Sequence, residues 1–342
     1  MAPTIWSSIP VRTILLVGAG ALGARAGRQL GATSGIDRIL VADRRADRAE
    51  ALRKFLGSKA ATVEWSARKP LPPGVDAVAC ALPAGDDVPL VIAALESGVP
   101  IATSGDNQES IATLLRLNDE ALASGVAVLA GCGLAPGLSD VLAAHAATLL
   151  DTVDEIHVSR AGVAGPDSEA SMRRLHSERP HEVIGGALSE VRRRSTHELI
   201  WFPEPVGDKE CELIGAGVAL LHKSFPSADR ITVRAVEPES RSTGWLRRND
   251  PGGNWGATRV EVWGRIGNAR VPVIYGAVGR TATLGGAVLG VASALLVGAM
   301  PEIGSPTPGV GGLASCVAPT MFLAELERRG IMASKFEGVP VA

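Results

Sequence analysis

The stretch TILLVGAGALGARAGRQLG, residues 13–31, decides the fold of this chain. A short apolar run leads into glycines at the first, third and sixth positions of a turn, and small and apolar residues at helical spacing follow it. The first glycine permits a tight turn, the second lets a pyrophosphate approach the backbone, and the third lets the helix pack against the sheet. The pattern predicts a strand, turn and helix that bind a dinucleotide at the helix N-terminus. The turn residues expected to contact it are Gly18, Gly20, Ala21, Leu22 and Gly23.

A second apolar run, Arg38–Ala42, ends in Asp43, about 20 residues beyond the glycines, where a ribose-binding carboxylate is expected. A carboxylate accepts hydrogen bonds from ribose hydroxyls and repels a 2′-phosphate, so Asp43 favours NAD. Arg44 and Arg45 follow at once, and either guanidinium could instead stack on adenine or neutralise a phosphate. We expect NAD or NADP, with NAD favoured, and we take Asp43 and Arg44 as candidate ligands.

Composition places the chain among globular proteins of ordinary charge. Its 342 residues are 46% hydrophobic and 20% charged with a net charge of −2, so no nucleic-acid partner is expected. The four cysteines form no CxxC pair and the histidines no HExxH motif, so we expect reduced thiols and no metal. The uncharged stretch 282–300 is rich in glycine and alanine, which favours a buried helix over a membrane span. The first residues show no signal-peptide pattern, and we therefore expect a cytoplasmic protein.

Strand-like and helical segments alternate from the glycine turn to about residue 130. This alternation predicts an α/β fold with a doubly wound parallel sheet. Further on, an apolar run at 231–236 and two runs joined by Gly267-Asn268 predict a second α+β domain with a mixed or antiparallel sheet. Two apolar helices, at 283–300 and 319–329, then close the chain.

The loops at the carboxyl ends of the predicted parallel strands consist mainly of small residues. A flat cofactor that lies across those ends requires small residues there, because the crevice of an open parallel sheet is on this side. The loop residues expected to contact the cofactor are Leu82, Pro83, Ser104, Cys132 and Gly133.

Four motifs of the N-terminal half occur together: VGAGALG at 17–23, DAVACALPAG at 76–85, TSGDN at 103–107 and GVAVLAGCGLAPGLSDVLAAH at 125–145. In them the chain resembles the saccharopine dehydrogenase superfamily, above all its lysine 6-dehydrogenase-like and saccharopine-reductase-like branch. The resemblance returns in FPEPVG at 202–207, GRTATLGGA at 279–287 and FLAELERRGI at 322–331. The turn GCGLAPG is the most specific of these motifs.

The resemblance implies a Rossmann domain that is interrupted by a second domain. We expect the dinucleotide-binding domain at 1–132 and 282–342, and a substrate-binding and dimerisation domain at 133–281. The resemblance also implies a homodimer and a hydride transfer at a carbon–nitrogen centre of an amino acid, amine or imine. Reductive members commonly pair a lysine with an acid, but the loop after Leu82 holds no lysine, which counts against reductive condensation.

Such chemistry needs a group that moves a proton and cations that hold a carboxylate. Asp106 and Asp140 are the catalytic candidates, although a turn aspartate and an acid in a first helical turn have ordinary structural explanations. Arg160 and Arg241 are the candidates for binding a substrate carboxylate. Two alternatives stay open: an imine reductase or opine-forming synthase, and a dinucleotide-binding sensor without turnover.

Overall fold

The computed structural model describes residues 11–66, 69–192, 197–238 and 255–336. The strands in chain order are β1 (Thr13–Val17), β2 (Arg38–Ala42), β3 (Ala60–Thr62), β4 (Ala77–Cys80), β5 (Ile101–Thr103), β6 (Ala127–Leu129), β7 (Thr152–Ala161), β8 (His181–Ile184), β9 (Ala187–Glu190), β10 (Glu198–Phe202), β11 (Gly207–Leu213), β12 (Arg230–Ala235), β13 (Trp255–Ile266), β14 (Ala269–Arg280), β15 (Gly309–Gly311) and β16 (Ala333–Phe336). The helices are α1 (Ala21–Ala32), α2 (Ala46–Leu56), α3 (Val88–Glu96), α4 (Gln108–Arg116), α5 (Asn118–Ala123), α6 (Leu138–Ala147), α7 (Pro166–Ser177), α8 (Val218–Ser224), α9 (Thr281–Leu296), α10 (Leu313–Cys316) and α11 (Pro319–Arg328), with a 3₁₀ turn at Gly57–Lys59.

The first sheet is parallel and has the strand order β15-β6-β5-β4-β1-β2-β3 within the described ranges. Every residue of β1 and β4 is buried, as expected for strands that are covered by helices on both faces. The predicted doubly wound α/β sheet is therefore confirmed, and its strand order reverses between β1 and β4, where ligands bind in such sheets.

The second sheet is mixed. Strand β7 pairs in parallel with β12 and antiparallel with β13, and β13 forms a long antiparallel hairpin with β14. Gly267, in the hairpin turn, has a φ of +58°, a backbone conformation that favours glycine. The predicted second domain with a mixed or antiparallel sheet is thus confirmed.

The chain returns to the first domain through α9, which packs against α1. Fourteen of its residues are buried, so the uncharged stretch is a core helix. In the part of the chain that the structure describes, no helix is long and apolar enough to cross a membrane. Further on, β15 joins the first sheet and β16 pairs with β14 in the second. The C-terminal segment therefore contributes to both sheets, and the expected domain boundaries stay a prediction.

We expect Gly286→Ala to weaken the contact between α1 and α9. A Cβ at this position would overlap the Cβ of Arg25 and lie 2.8 Å from the carbonyl oxygen of Leu22. Overpacking costs about 1–3 kcal/mol, and a cost of about 2–3 is expected here because the overlapped atoms are a Cβ and backbone atoms. The helix propensity of alanine offsets about 1 kcal/mol, so the free energy of unfolding should fall by about 1–2 kcal/mol. Urea titration followed by circular dichroism measures this change.

Gly31→Ala is the matched control, because its Cβ would meet only the flexible end of Leu56, at 3.0 Å. This variant should keep or slightly raise the stability of the protein. An equal loss in both variants would contradict a specific close approach between α1 and α9.

Candidate active site

A cavity of about 600 Å³ lies between the carboxyl ends of the first sheet and the second domain. Its volume is typical of small-molecule and cofactor sites. The cavity is lined by 19–24, Arg44, Arg45, Arg48, 81–84, Ser104, Asp106, 133–136, Arg160, 164–168, Ser171, Thr281 and Gly285. It therefore brings together the glycine turn, the strand-end loops and the start of α7.

In the glycine turn, Gly18 and Gly23 pack tightly against neighbouring atoms, whereas Gly20 borders open space. Gly18 has a φ of +97°, and a Cβ there would lie 2.6 Å from the carbonyl oxygen of Ala81. A Cβ on Gly23 would overlap the carbonyl oxygen of Gly18, so both positions require glycine. A Cβ on Gly20 would meet no atom within 4 Å. The open side of the turn thus faces the cavity, where a phosphate has room to approach the backbone.

Helix α1 begins directly behind this opening. Its first turn carries no acidic side chain, so nothing there repels an anion. On the opposite side, the start of α7 covers the turn, since a Cβ on Gly165 would come within 3.4 Å of the Cβ of Ala21. A ligand in the cavity is therefore enclosed between the glycine turn and the second domain.

Asp43 binds the glycine turn itself. Its Oδ2 accepts a 2.6 Å hydrogen bond from the backbone N–H of Ala19, and its Oδ1 accepts a 2.8 Å bond from that of Arg45. Asp43 and Gly18 are not among the residues that line the cavity, whereas Arg44 is. The expected contact between Asp43 and a ribose stays a prediction.

Asp106 and Arg160 meet in the wall of the cavity. Nη1 of Arg160 donates to Oδ2 of Asp106 at 3.0 Å and also donates to the carbonyl oxygen of Ala135. The hydroxyl of Ser171 donates to Oδ1 of Asp106 at 3.0 Å. Asp106 follows β5, Arg160 belongs to β7 and Ser171 to α7, so one carboxylate joins the two domains. Two of the sequence candidates are therefore brought together.

Arg160 is only 4% exposed, and its Nε is buried without a hydrogen-bond partner in the structure. A buried cation needs a paired anion, and the carboxylate of Asp106 supplies it. The pair places opposite charges side by side on a surface that a ligand can reach.

Asp87 was not among the sequence candidates, although it supports the site. It is fully buried, and its carboxylate accepts hydrogen bonds from Thr103 Oγ1 at 2.9 Å and from the backbone N–H of Gly85 at 3.1 Å. Burial raises the pKa of Asp87 above its usual range. The residue ties the loop after β4 to the end of β5 and thereby holds the loop that carries Asp106. The only signal for it in the sequence is an acid placed just before a helix.

Asp140 does not reach the cavity. It lies in the first turn of α6, is 1% exposed, and accepts a hydrogen bond on Oδ1 from the hydroxyl of Ser139 at 3.0 Å. Its Oδ2 is buried and has no partner in the structure, and burial raises its pKa to about 7. The geometry gives no support to a catalytic role for Asp140, and we do not propose one.

The remaining candidates from the sequence also differ in whether they line the cavity. Gly20, Ala21, Leu22, Gly23, Leu82, Pro83, Ser104 and Gly133 line the cavity. Cys132 is fully buried beside it, and burial raises the pKa of its thiol. Arg241 lies outside the described residues. Within the described residues, no group of three or more His, Cys, Asp or Glu side chains could hold a metal ion.

The two sheets and the cavity at the strand ends define a Rossmann-type α/β protein with a second mixed-sheet domain. No protein-family model matches the chain. Apo saccharopine dehydrogenase (L-Glu forming) from Saccharomyces cerevisiae matches 95% of this chain and 100% of its own, with a TM-score of 0.70 and 14% identity. The chain therefore has a saccharopine dehydrogenase-like fold, as the resemblance implied.

Two further solved structures share less of the architecture. An amine dehydrogenase from Mycobacterium smegmatis matches 91% of this chain and 97% of its own, with a TM-score of 0.52 and 12% identity. An engineered D-amino acid dehydrogenase bound to NADP+ matches 93% of this chain and 99% of its own, with a TM-score of 0.51 and 15% identity. At these identities the likeness concerns the fold.

The raised pKa of Asp140 predicts that the stability of the protein depends on pH. The folded protein holds its proton up to pH about 7, whereas the unfolded chain releases it near the ordinary value of 3.8. Stability therefore falls as the pH rises between these two values and stays lowered above them. Asp140→Asn removes this loss. Between pH 5 and pH 8 the wild-type protein should lose about 2–3 kcal/mol of unfolding free energy relative to the variant.

Urea titrations of both proteins at the two pH values provide the measurement. Stability curves that run parallel would contradict a buried acid with a raised pKa at position 140.

Proposed function

We propose that this protein is an NAD(P)-dependent oxidoreductase that transfers hydride at a carbon–nitrogen centre of an amino-acid-type substrate. One observation carries the proposal: the open side of Gly20 and the Asp106–Arg160 pair line the same cavity. A dinucleotide site and a charged site for a small molecule therefore adjoin. The likeness of the fold to dehydrogenases of amino acids and amines supports this assignment.

The glycine turn and the N-terminus of α1 would hold the pyrophosphate, because unpaired backbone N–H groups and the helix dipole favour an anion there. The loop containing Leu82 and Pro83 and the residues Ser104 and Gly133 would border the nicotinamide half. A bound nicotinamide supplies the hydride acceptor or donor at its C4 carbon. The small side chains of these loops leave space for a flat ring.

The Asp106–Arg160 pair suits an amino acid, which carries an ammonium group and a carboxylate on one carbon. The carboxylate of Asp106 would attract the ammonium, and the guanidinium of Arg160 would attract the carboxylate. Nη1 of Arg160 makes the bonds to Asp106 and Ala135, so the other guanidinium nitrogens would be the ones to bind a ligand. The hydroxyl of Ser171 adds a further polar contact.

Asp106 would also handle the proton that the reaction needs. Oxidation of an amine requires a base that accepts a proton from nitrogen, and hydrolysis of an imine requires one that accepts a proton from water. None of the described residues that line the cavity is a lysine. We therefore favour the dehydrogenase over reductive condensation, and we keep imine reduction and a sensor without turnover as the alternatives.

We also propose a homodimer formed through the second domain. Large apolar side chains are exposed on β8, β9 and β10, and a second copy of the chain would cover them. These side chains are Ile184, Leu188, Leu199 and Trp201.

Gly20→Ala tests the cofactor site. The backbone at Gly20, with a φ of −72°, suits any residue, and the added methyl group would meet no protein atom within 4 Å. The variant should unfold within about 0.5 kcal/mol of the wild type. It should nevertheless bind NAD+ and NADP+ about tenfold more weakly or worse, because the methyl group occupies the space of a phosphate.

Isothermal titration calorimetry gives the affinities. Unchanged affinity for both dinucleotides in the folded variant would contradict this placement of the pyrophosphate.

The variant Asp106→Asn tests the proposed catalytic role of Asp106. Loss of a general acid–base lowers kcat by at least about 100-fold, while dinucleotide affinity should hardly change. The assay follows nicotinamide absorbance with lysine, ornithine, cyclic imines, and keto acids paired with amines. Full activity of the variant would exclude a catalytic role for Asp106.

Ser171→Ala is the matched control, because it removes one hydrogen bond to Asp106 and leaves the carboxylate. It should lower kcat by no more than about tenfold. If the wild-type protein binds a dinucleotide but turns over none of these substrates in either direction, the sensor alternative stands.

A further inference from the structure

The adenosine end of the cavity carries a cluster of arginines. Resting on the proposed function, we propose that this end selects a dinucleotide with a 2′-phosphate, so that the protein prefers NADP(H) over NAD(H). Arg44 and Arg48 would bind the phosphate. The sequence favoured NAD because of Asp43 and left open whether Arg44 or Arg45 neutralises a phosphate, whereas Arg48 was not a candidate.

The first step concerns Asp43, on which the expectation of NAD depends. A carboxylate selects NAD when its oxygens face the ribose hydroxyls. Here each oxygen accepts a backbone N–H, from Ala19 at 2.6 Å and from Arg45 at 2.8 Å, and Asp43 does not line the cavity. Both oxygens are thus oriented by backbone N–H groups, each with a second acceptor site left, so Asp43 alone does not decide between NAD and NADP.

The second step concerns the residues that do line this end. Arg44, Arg45 and Arg48 follow β2 around the start of α2, and all three face the cavity. Arg45 is engaged, since its guanidinium binds Asp47 at 2.6 Å. Two of the three guanidinium groups are therefore candidates for a ligand.

Arg44 and Arg48 could each bind a phosphate, for different reasons. Arg44 is 75% exposed on its side chain and has one long contact of 3.9 Å with Asp167 across the cavity, a type of surface pair that contributes little. Arg48 has no ion-pair partner among the described residues. A guanidinium presents a planar set of donors that matches a phosphate group.

The local charges agree with this assignment. The acids nearby are Asp43, Asp47 and Asp167: the first accepts two N–H groups, the second is paired with Arg45, and the third is exposed and, among the described residues, makes only the long contact with Arg44. The charges of Arg44 and Arg48 remain at the rim, next to the N-terminal turn of α2, whose dipole also favours an anion. A ribose without a phosphate would leave both guanidinium groups without a ligand.

Binding of two fragments to the full-length protein tests the proposal. The fragments are 2′,5′-ADP, which carries the 2′-phosphate, and 5′-ADP, which lacks it, and isothermal titration calorimetry compares them. We expect 2′,5′-ADP to bind at least about tenfold more tightly, which corresponds to about 1.4 kcal/mol. Added salt should reduce this advantage, because the contacts are between charges near solvent.

Equal binding of the two fragments, or tighter binding of 5′-ADP, would overturn the proposal and leave the proposed function intact. Failure of both fragments, together with failure of both full dinucleotides, would overturn the dinucleotide site and this inference with it.

The variant Arg48→Gln tests whether Arg48 binds the 2′-phosphate. It should weaken 2′,5′-ADP about tenfold and leave 5′-ADP unchanged. Arg53→Gln is the control on the same helix, since Arg53 binds Glu50 at 2.7 Å and does not line the cavity. It should change neither affinity. An equal loss of both fragments in Arg48→Gln would overturn the assignment of this residue to a 2′-phosphate.

Discussion

The ion pair between Asp106 and Arg160 is the interaction on which the rest of the site depends. It connects a strand-end loop of the first domain to the central strand of the second, and the hydroxyl of Ser171 adds α7 to the same carboxylate. A buried pair of this kind adds little net stability, but removal of one partner leaves a charge in a poorly solvated place. The geometry of the cavity is therefore coupled to the two groups that carry the proposed chemistry.

The sequence was sufficient for β1 to β6 of the first sheet because they repeat a local pattern, whereas the edge strand β15 was not predicted from its glycine-rich segment. Each buried strand is a short apolar run, and the steric demands of Gly18 and Gly23 are met by glycine alone. The β13–β14 hairpin was predicted for a similar reason, since its turn residues are specific. Helix α7 and strands β8 to β11 were missed. The segment of α7 is mainly polar and buries only four residues, and β8 to β10 are strands of four or five residues, so the sequence shows a weak periodic signal there.

The site itself was predictable only in part, because roles in it depend on which side chains meet. Asp106 and Arg160 were separate candidates, 54 positions apart, and nothing local shows that they pair. Asp140 was the second catalytic candidate after Asp106, yet tertiary packing buries it away from the cavity. Asp43 stands where a ribose ligand is expected, but its oxygens accept the N–H groups of the neighbouring backbone. Burial and the pairing of side chains separate Asp140 from Asp106, and neither is encoded in spacing; the contact of Asp43 with a ribose stays a prediction.

The central claim is that one cavity holds the dinucleotide along the glycine turn with the nicotinamide beside the Asp106–Arg160 pair. A crystal structure of the protein with a bound dinucleotide tests this claim most directly. The account predicts the pyrophosphate at Gly20 and the N-terminus of α1. It places the nicotinamide C4 carbon close enough to the Asp106 carboxylate for one small substrate to contact both. A pyrophosphate at another strand end, or a nicotinamide ring on the far side of the glycine turn from Asp106, would contradict it.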